Sequence, residues 1–318
     1  MKSLNKDKYF EFAAREPIPI FSQPWWLDAV CIDGQWDVAI FEKNNTVIAS
    51  LPYYMKNKGP FKLITMPPLT QTMGPFITYP EGQKYAKKLA YEKEVMNVLI
   101  DQLPKVDYFC QNFHPSITNW LPFYWRGFSQ TTRYTYIIDN INDHEQVYQN
   151  FTYAKKKNIK KSENMIHLRF DLDVNSFYEN HKLTLGKQGQ KIEYQFNLLN
   201  RIYENGQQNN GVKIISAHDN DNNIHAALLL VGNNTSAYDL ISTIDPTFRN
   251  SGAASKLVLE GIKLFSKDTQ KFDFEGSMIE NVENSFRQFG AIQTPYFQIK
   301  KVNSKLLQLR ECFNALKK

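Results

Sequence analysis

Three groups of residues in this chain have types and spacings that could do chemistry. Asp273 and Glu275 stand two apart in Phe272-Asp273-Phe274-Glu275-Gly276-Ser277. On a strand, that spacing turns both carboxylates to one face. Either could take a proton from an amine or orient it, and either could equally be a structural acceptor for loop N–H groups. Tyr238 opens the apolar stretch Tyr238–Ile244, with Asp239 beside it. Its phenol could protonate a departing thiolate or lie in the core. The second group is Arg249-Asn250-Ser251-Gly252-Ala253-Ala254. Small residues opening a helix suit a phosphate, because backbone N–H groups point outward there and the helix dipole favours an anion. Gly252 would let a ligand approach the backbone, Ala253 and Ala254 add no bulk, and Arg249 could add side-chain charge. The third group is Lys155, Lys156, Lys157, Lys160 and Lys161. On a helix, Lys156/Lys160 and Lys157/Lys161 are like-charge pairs one turn apart. An anion would relieve their repulsion, and a solvated basic face would tolerate it.

The elements that position these groups can be read from periodicity. Tyr238–Ile244 is strand-like, Ala254–Ser266 has helical spacing, and Phe272 and Phe274 alternate with Asp273 and Glu275 as in a half-buried strand. The lysines fall on a predicted helix over Glu145–Asn164. Ahead of them lie a helix start at Pro24 and a hairpin over Trp36–Phe41 and Thr46–Tyr54 that turns at Lys43-Asn44-Asn45. An irregular loop around Met66–Pro75, a helix over Lys84–Leu103 and an aromatic loop over Asn119–Phe128 follow. Helices are expected over Ser176–Leu185, Tyr194–Asn205, Glu280–Phe289 and Ser304–Lys318. A hairpin is expected over Val212–His218 and Ile224–Val231, and a closing strand over Ile292–Val302. The polar break Asp139–Asn142 sets a boundary, giving domains over 1–140 and 141–318. Each half reads as helix, hairpin, strand, helix, strand, as two divergent copies of one α/β unit would.

Of 318 residues, 42% are hydrophobic and 14% aromatic, enough for a real core. A net charge of +6 suits an anionic ligand and does not by itself argue for nucleic acid. Cys31, Cys110 and Cys312 lie far apart without a C-x-x-C and read as free thiols of a reducing compartment. The six histidines lack metal-ligand spacing, and no metal is expected. No stretch has the length and apolarity of a membrane span, and the first residues lack an apolar signal core, so the expected location is cytoplasmic.

Arg249-x-x-Gly252-x-Ala254 after a strand resembles the pyrophosphate loop of GNAT acyltransferases, [QR]-x-x-G-x-[GA]. The second half is similar to the FemAB-like branch of that superfamily. Tyr153–Ser162 resembles its basic helix, with Lys157 where arginine is usual. Phe272–Ser277 resembles its late D-F-x-G element, and Asn284–Ala291 its F-[KR]-x-x-[FW]-G. Phe21–Leu27 resembles the opening of its first domain. The resemblance implies two tandem GNAT-like domains of mixed α/β sheet with the active cleft at their junction. No long charged heptad pattern is present, so the coiled-coil arm of the larger cross-bridge enzymes is not expected.

It further implies an acyltransferase acting on an amine, with acyl-CoA as the leading donor. The pantetheine arm would lie along Leu240–Ile244, including Ser242 and Thr243, and the pyrophosphate at Arg249–Ala254. Asp273, Glu275 and Tyr238 are the catalytic candidates. Lys156, Lys157 and Lys160 would hold a substrate phosphate. Two alternatives stand beside this one. The first is aminoacyl transfer from transfer RNA to a peptidoglycan precursor, for which the missing arm is a departure. The second is a FemAB-like binding protein without catalysis.

Overall fold

The computed structural model describes residues 4–276 and 278–316, and the side chains of 4, 312 and 314–316 lie outside the description. The reading of Cys312 as a free thiol therefore falls outside the described residues, whereas Cys31 and Cys110 are free. In chain order the elements are α1 (Leu4–Arg15), α2 (Pro24–Val30), β1 (Gln35–Lys43), β2 (Thr46–Lys58), β3 (Phe61–Thr65), β4 (Phe76–Ile77), α3 (Tyr85–Asp101), β5 (Tyr108–Asn112), α4 (Leu121–Trp125) and β6 (Ser129–Ile138). Next come α5 (His144–Asn150), α6 (Tyr153–Ser162), β7 (His167–Arg169), α7 (Val174–Gly186), α8 (Phe196–Gln208), β8 (Val212–His218), β9 (Ile224–Gly232) and β10 (Ala237–Ile244). A 3-10 turn over Pro246–Ser251 leads into α9 (Ala253–Phe265), β11 (Phe272–Asp273), α10 (Glu280–Arg287), β12 (Ile292–Val302) and α11 (Lys305–Leu316).

The chain divides into two compact units, residues 1–133 with 295–318, and residues 134–294. In the first, β1 and β2 form the expected hairpin, and Asn44 and Asn45 turn it with φ of 52° and 60°. β2 also pairs with β3 and β4, β3 lies parallel to β5, and β5 is antiparallel to the end of β12. Val95, Met96 and Leu99 of α3 pack with Leu51, Ile64, Phe109 and Ile299 in its core. The aromatic stretch 119–128, expected as loop, contains the short helix α4, started by Pro122 in its first turn.

In the second unit the strand order is β6-β11-β10-β9-β8-β7. β10 to β7 form an antiparallel meander, and β11 is parallel to β10 and antiparallel to β6. The apolar stripe of α9 (Leu257, Val258, Ile262, Phe265) is buried in one cluster with Ile215, Leu228 and Leu230 of β8 and β9. The expected single helix over Glu145–Asn164 is two helices. Phe151 takes an extended conformation at the end of α5 and is buried edge-on against the Phe289 ring at 5.1 Å. Burial of that ring outweighs helix continuity, and Thr152 restarts the chain as the residue before α6.

Candidate active site

β10 and β11 position the site. They pair only at Ala237↔Phe272 and Tyr238↔Asp273, after which β10 continues along β9 without β11. The strand expected to carry both Asp273 and Glu275 is two residues long and ends at Asp273. The chain then turns out of the sheet, with Glu275 at φ 59° and Gly276 at φ 63°. Two local interactions fix that turn. The Glu275 N–H donates to Asp273 Oδ1 at 2.7 Å, and the Thr135 hydroxyl of β6 donates to the same oxygen. Gly276 is required: a Cβ there would sit 2.2 Å from the Tyr134 carbonyl oxygen. A left-handed glutamate is uncommon, and such conformations concentrate at functional sites.

The turn leaves Glu275 close enough to Asp273 and Asp239 for their charges to act on it. Asp239 and Asp273 are buried. Glu275 is part-exposed along its length, but its Oε1 is buried without a hydrogen-bond partner among the described residues. Burial raises the Glu275 carboxyl well above its ordinary value, and the charges of Asp273 and Asp239 add to that rise. Burial likewise lifts Asp239 to about 6, opposed by the Ser242 hydroxyl. Ser242 reaches both Asp239 oxygens, at 2.9 and 2.8 Å, because a bulge intervenes: Asp239 is opposite Leu230 and Ile241 opposite Leu229, leaving Leu240 as the extra residue. In an unbroken strand, residues three apart face opposite sides, and the bulge puts Ser242 on the side of Asp239. Tyr238 is fully buried, and its phenol is raised far above its ordinary value, first by burial and then by the Asp273 charge.

The remaining sequence candidates are placed as follows. Leu240 is buried, Ser242 is exposed, and Thr243 turns away towards α7, where it accepts from Asn180 Nδ2 at 2.8 Å. Arg249 and Asn250 are exposed, whereas Ser251, Gly252 and Ala253 are buried. Gly252 has φ 85°, and a Cβ on it would stand 2.1 Å from the Asn158 carbonyl oxygen of α6. The glycine is thus demanded by close approach of the basic helix. Ser251 Oγ accepts the Ala253 N–H at 3.2 Å, and Lys161 donates to the Asn250 carbonyl at 2.6 Å. Ala254 is part-exposed on the first turn of α9. Lys156 donates to the Gln149 carbonyl at 2.8 Å, while Lys157 and Lys160 are exposed. The turn before α9 is anchored by Asp245, which caps it at the Thr247 N–H (2.8 Å) and pairs with Lys187 at 2.5 Å.

The site set read from the sequence missed Thr135 and gave Asp239 no role. Thr135 lies far from Asp273 in sequence and carries no signal of its own. The sequence marks Asp239 as a carboxylate beside Tyr238 without placing it among the catalytic candidates. Among the described residues, no three His, Cys, Asp or Glu side chains are disposed to hold a metal ion.

The fold has counterparts in solved structures. The crystal structure of FemX superposes with a TM-score of 0.72 at 11% identity, covering 97% of this chain and 98% of that one. This chain has a FemX-like tandem GNAT fold. Two further structures share the FemX-like fold more loosely. The C-terminal domain of a putative lysylphosphatidylglycerol synthetase from Agrobacterium fabrum gives a TM-score of 0.54 at 8% identity, covering 98% of this chain and 95% of that one. A tandem GNAT protein from the clavulanic acid biosynthesis pathway gives 0.52 at 8% identity, covering 93% and 94%. No protein-family model matches the chain, and no curated protein does. The FemX-like fold here comes without a long helical arm: the longest helix among the described residues is α3, of 17 residues. No helix among them is long and apolar enough to cross a membrane.

Proposed function

We propose that this chain transfers an acyl or aminoacyl group to an amine, with acyl-CoA as the leading donor. The observation that carries the reading is the parting of β10 from β11 beside the buried carboxylates. Among the described residues, β10 from Asp239 onward has a strand partner, β9, on one side only, which would leave backbone groups to pair with an extended donor arm. The donor's anionic end would meet Arg249 and the start of α9, with Lys157 and Lys160 exposed on the helix packed against it. Glu275 is the group suited to take a proton from the acceptor ammonium or hold it, because its Oε1 is buried in an acidic setting without a hydrogen-bond partner among the described residues. Tyr238 would keep its proton over the whole working range, which leaves it a donor or a core residue and not a base.

A second reading has its own support. Tyr153, 80% exposed, and Lys157 and Lys160 recur at helical spacing on α6, an aromatic and basic face that suits a nucleic-acid donor such as aminoacyl transfer RNA, with a cell-wall precursor as acceptor. A thermal-shift panel separates the two. An acyl-CoA user gains stability with CoA and acyl-CoA by mass action on the folded state. A transfer-RNA user instead binds RNA with an affinity that falls steeply with salt. Failure of both leaves a FemAB-like binding protein.

A further inference from the structure

A cavity of about 490 Å³ lies within the first unit, between the sheet and α11, and no residue of the candidate active site lines it. That volume is in the range of small-molecule sites. Its floor follows from strand alternation. Ile64 of β3 and Phe109 of β5 belong to the core packed with α3, so Leu63 and Tyr108, which pair across the two strands, point to the opposite face. Phe61, two residues before Leu63, shares that face, and Leu307 of α11 stands over it, half-buried. The walls are thus apolar. The charged groups of the lining are Lys58 at the end of β2 and Arg310 and Glu311 of α11, and they do not balance. Glu311 is answered by Lys300 at 2.5 Å. Lys58 and Arg310 have no hydrogen bond or ion pair among the described residues, and both are exposed, which puts their charge at the mouth.

We propose that this cavity binds a single-chain anionic amphiphile. The tail lies over Phe61, Leu63 and Leu307, where it leaves water for apolar surface. The carboxylate or phosphate head meets Lys58 and Arg310 through charge-assisted hydrogen bonds. A purely polar anion would leave the apolar floor wet, and a neutral chain would leave both cations unanswered. The site does not rest on the transferase reading.

The test is isothermal titration of the intact chain with dodecanoate and with dodecyl phosphate at low salt, each below the concentration at which it forms micelles. Dodecyltrimethylammonium, with the same tail and a cationic head, is the reference. The expected result is saturable binding of at least one of the two anions, the tighter one naming the head group, and binding of the reference about tenfold weaker or less. Arg310→Glu should weaken anion binding about tenfold, by removing one charge-assisted contact and adding repulsion. Leu307→Trp should weaken it similarly by filling the cavity, and if that variant unfolds at lower urea, the exposed Arg310→Glu still decides. Leu306, Leu309 and Phe313 form a separate exposed stripe on α11, so Leu309→Ser with Phe313→Ser should leave the affinity unchanged. No saturable binding of either anion, equal affinity for the cationic reference, an affinity untouched by Arg310→Glu, or one lost with the stripe variant overturns the proposal.

Discussion

Under the proposed function, Glu275 is the residue to test first. Its backbone is held left-handed by the Asp273 carboxylate and the Gly276 contact with β6, and its Oε1 has no hydrogen-bond partner among the described residues. Glu275→Gln keeps the shape and removes the titration. If Glu275 handles the acceptor proton, this variant loses roughly 10²-fold or more in turnover, and unchanged turnover assigns the group a structural role. Asp239 allows a second prediction. The folded chain holds its proton up to about pH 6, whereas the unfolded chain releases it near 4. Between those values the folded state binds more protons, so stability falls as pH rises through that window, and above it the deficit persists. Asp239→Asn should therefore stabilise the protein at pH 7 by roughly 1–3 kcal/mol, with no gain below pH 4. Urea denaturation of both forms across pH 4 to 8 measures this, and a gain independent of pH would refute it. Glu275 shifts in the same direction, so Glu275→Gln should also flatten the pH dependence.

At the level of elements, the approach of α6 to the start of α9 rests on one glycine. Gly252→Ala meets both a left-handed φ of 85° and the Asn158 carbonyl. The backbone term alone is about 1–2 kcal/mol, and the collision adds to it. The variant should unfold at markedly lower urea, and a midpoint equal to the parent's would show that the helices separate without cost. The contact explains what the sequence could and could not convey. The sequence reading gives Gly252 to close approach of a ligand, whereas the structure fills that approach with the Asn158 carbonyl. That partner was not legible, because Asn158 is remote in sequence and contributes only a carbonyl. Most elements were legible, since periodicity is local: the hairpins β1–β2 and β8–β9 and the helices α3, α7 and α8 fall where their patterns place them. Misreadings came where tertiary contacts overrule pattern. The ring of Phe151 breaks a helix, the turn at Glu275 ends a strand early, and the bulge at Leu240 reverses which side chains share a face. That bulge is also why Asp239 and Ser242 did not read as a pair.

For the whole molecule, the mild excess of positive charge matters through its distribution. Lys157, Lys160 and Arg249 are exposed around the contact of α6 with the turn before α9, and a donor with phosphates would feel them together. Reversing Lys157 and Lys160 to glutamate should weaken binding of CoA or RNA several-fold at low salt and leave the unfolding midpoint nearly unchanged, since both side chains are exposed. Equal ligand affinity in parent and double variant would place the anion elsewhere. The FemX-like fold was legible as a linear order of motifs, each weak alone, whereas the site depended on contacts between residues far apart in the chain, such as Thr135 with Asp273.

The crowding of Asp239, Asp273 and Glu275 has a calorimetric consequence. Glu275, and Asp239 below about pH 6, keep protons for want of a counter-charge and surrender them when a cation arrives. Titrating in a cationic amine should then liberate protons that the buffer absorbs. The apparent heat should differ between phosphate and Tris, and the difference divided by the gap in buffer ionisation enthalpies counts the protons given up. Identical heats in the two buffers would mean the amine settles somewhere these acids do not sense.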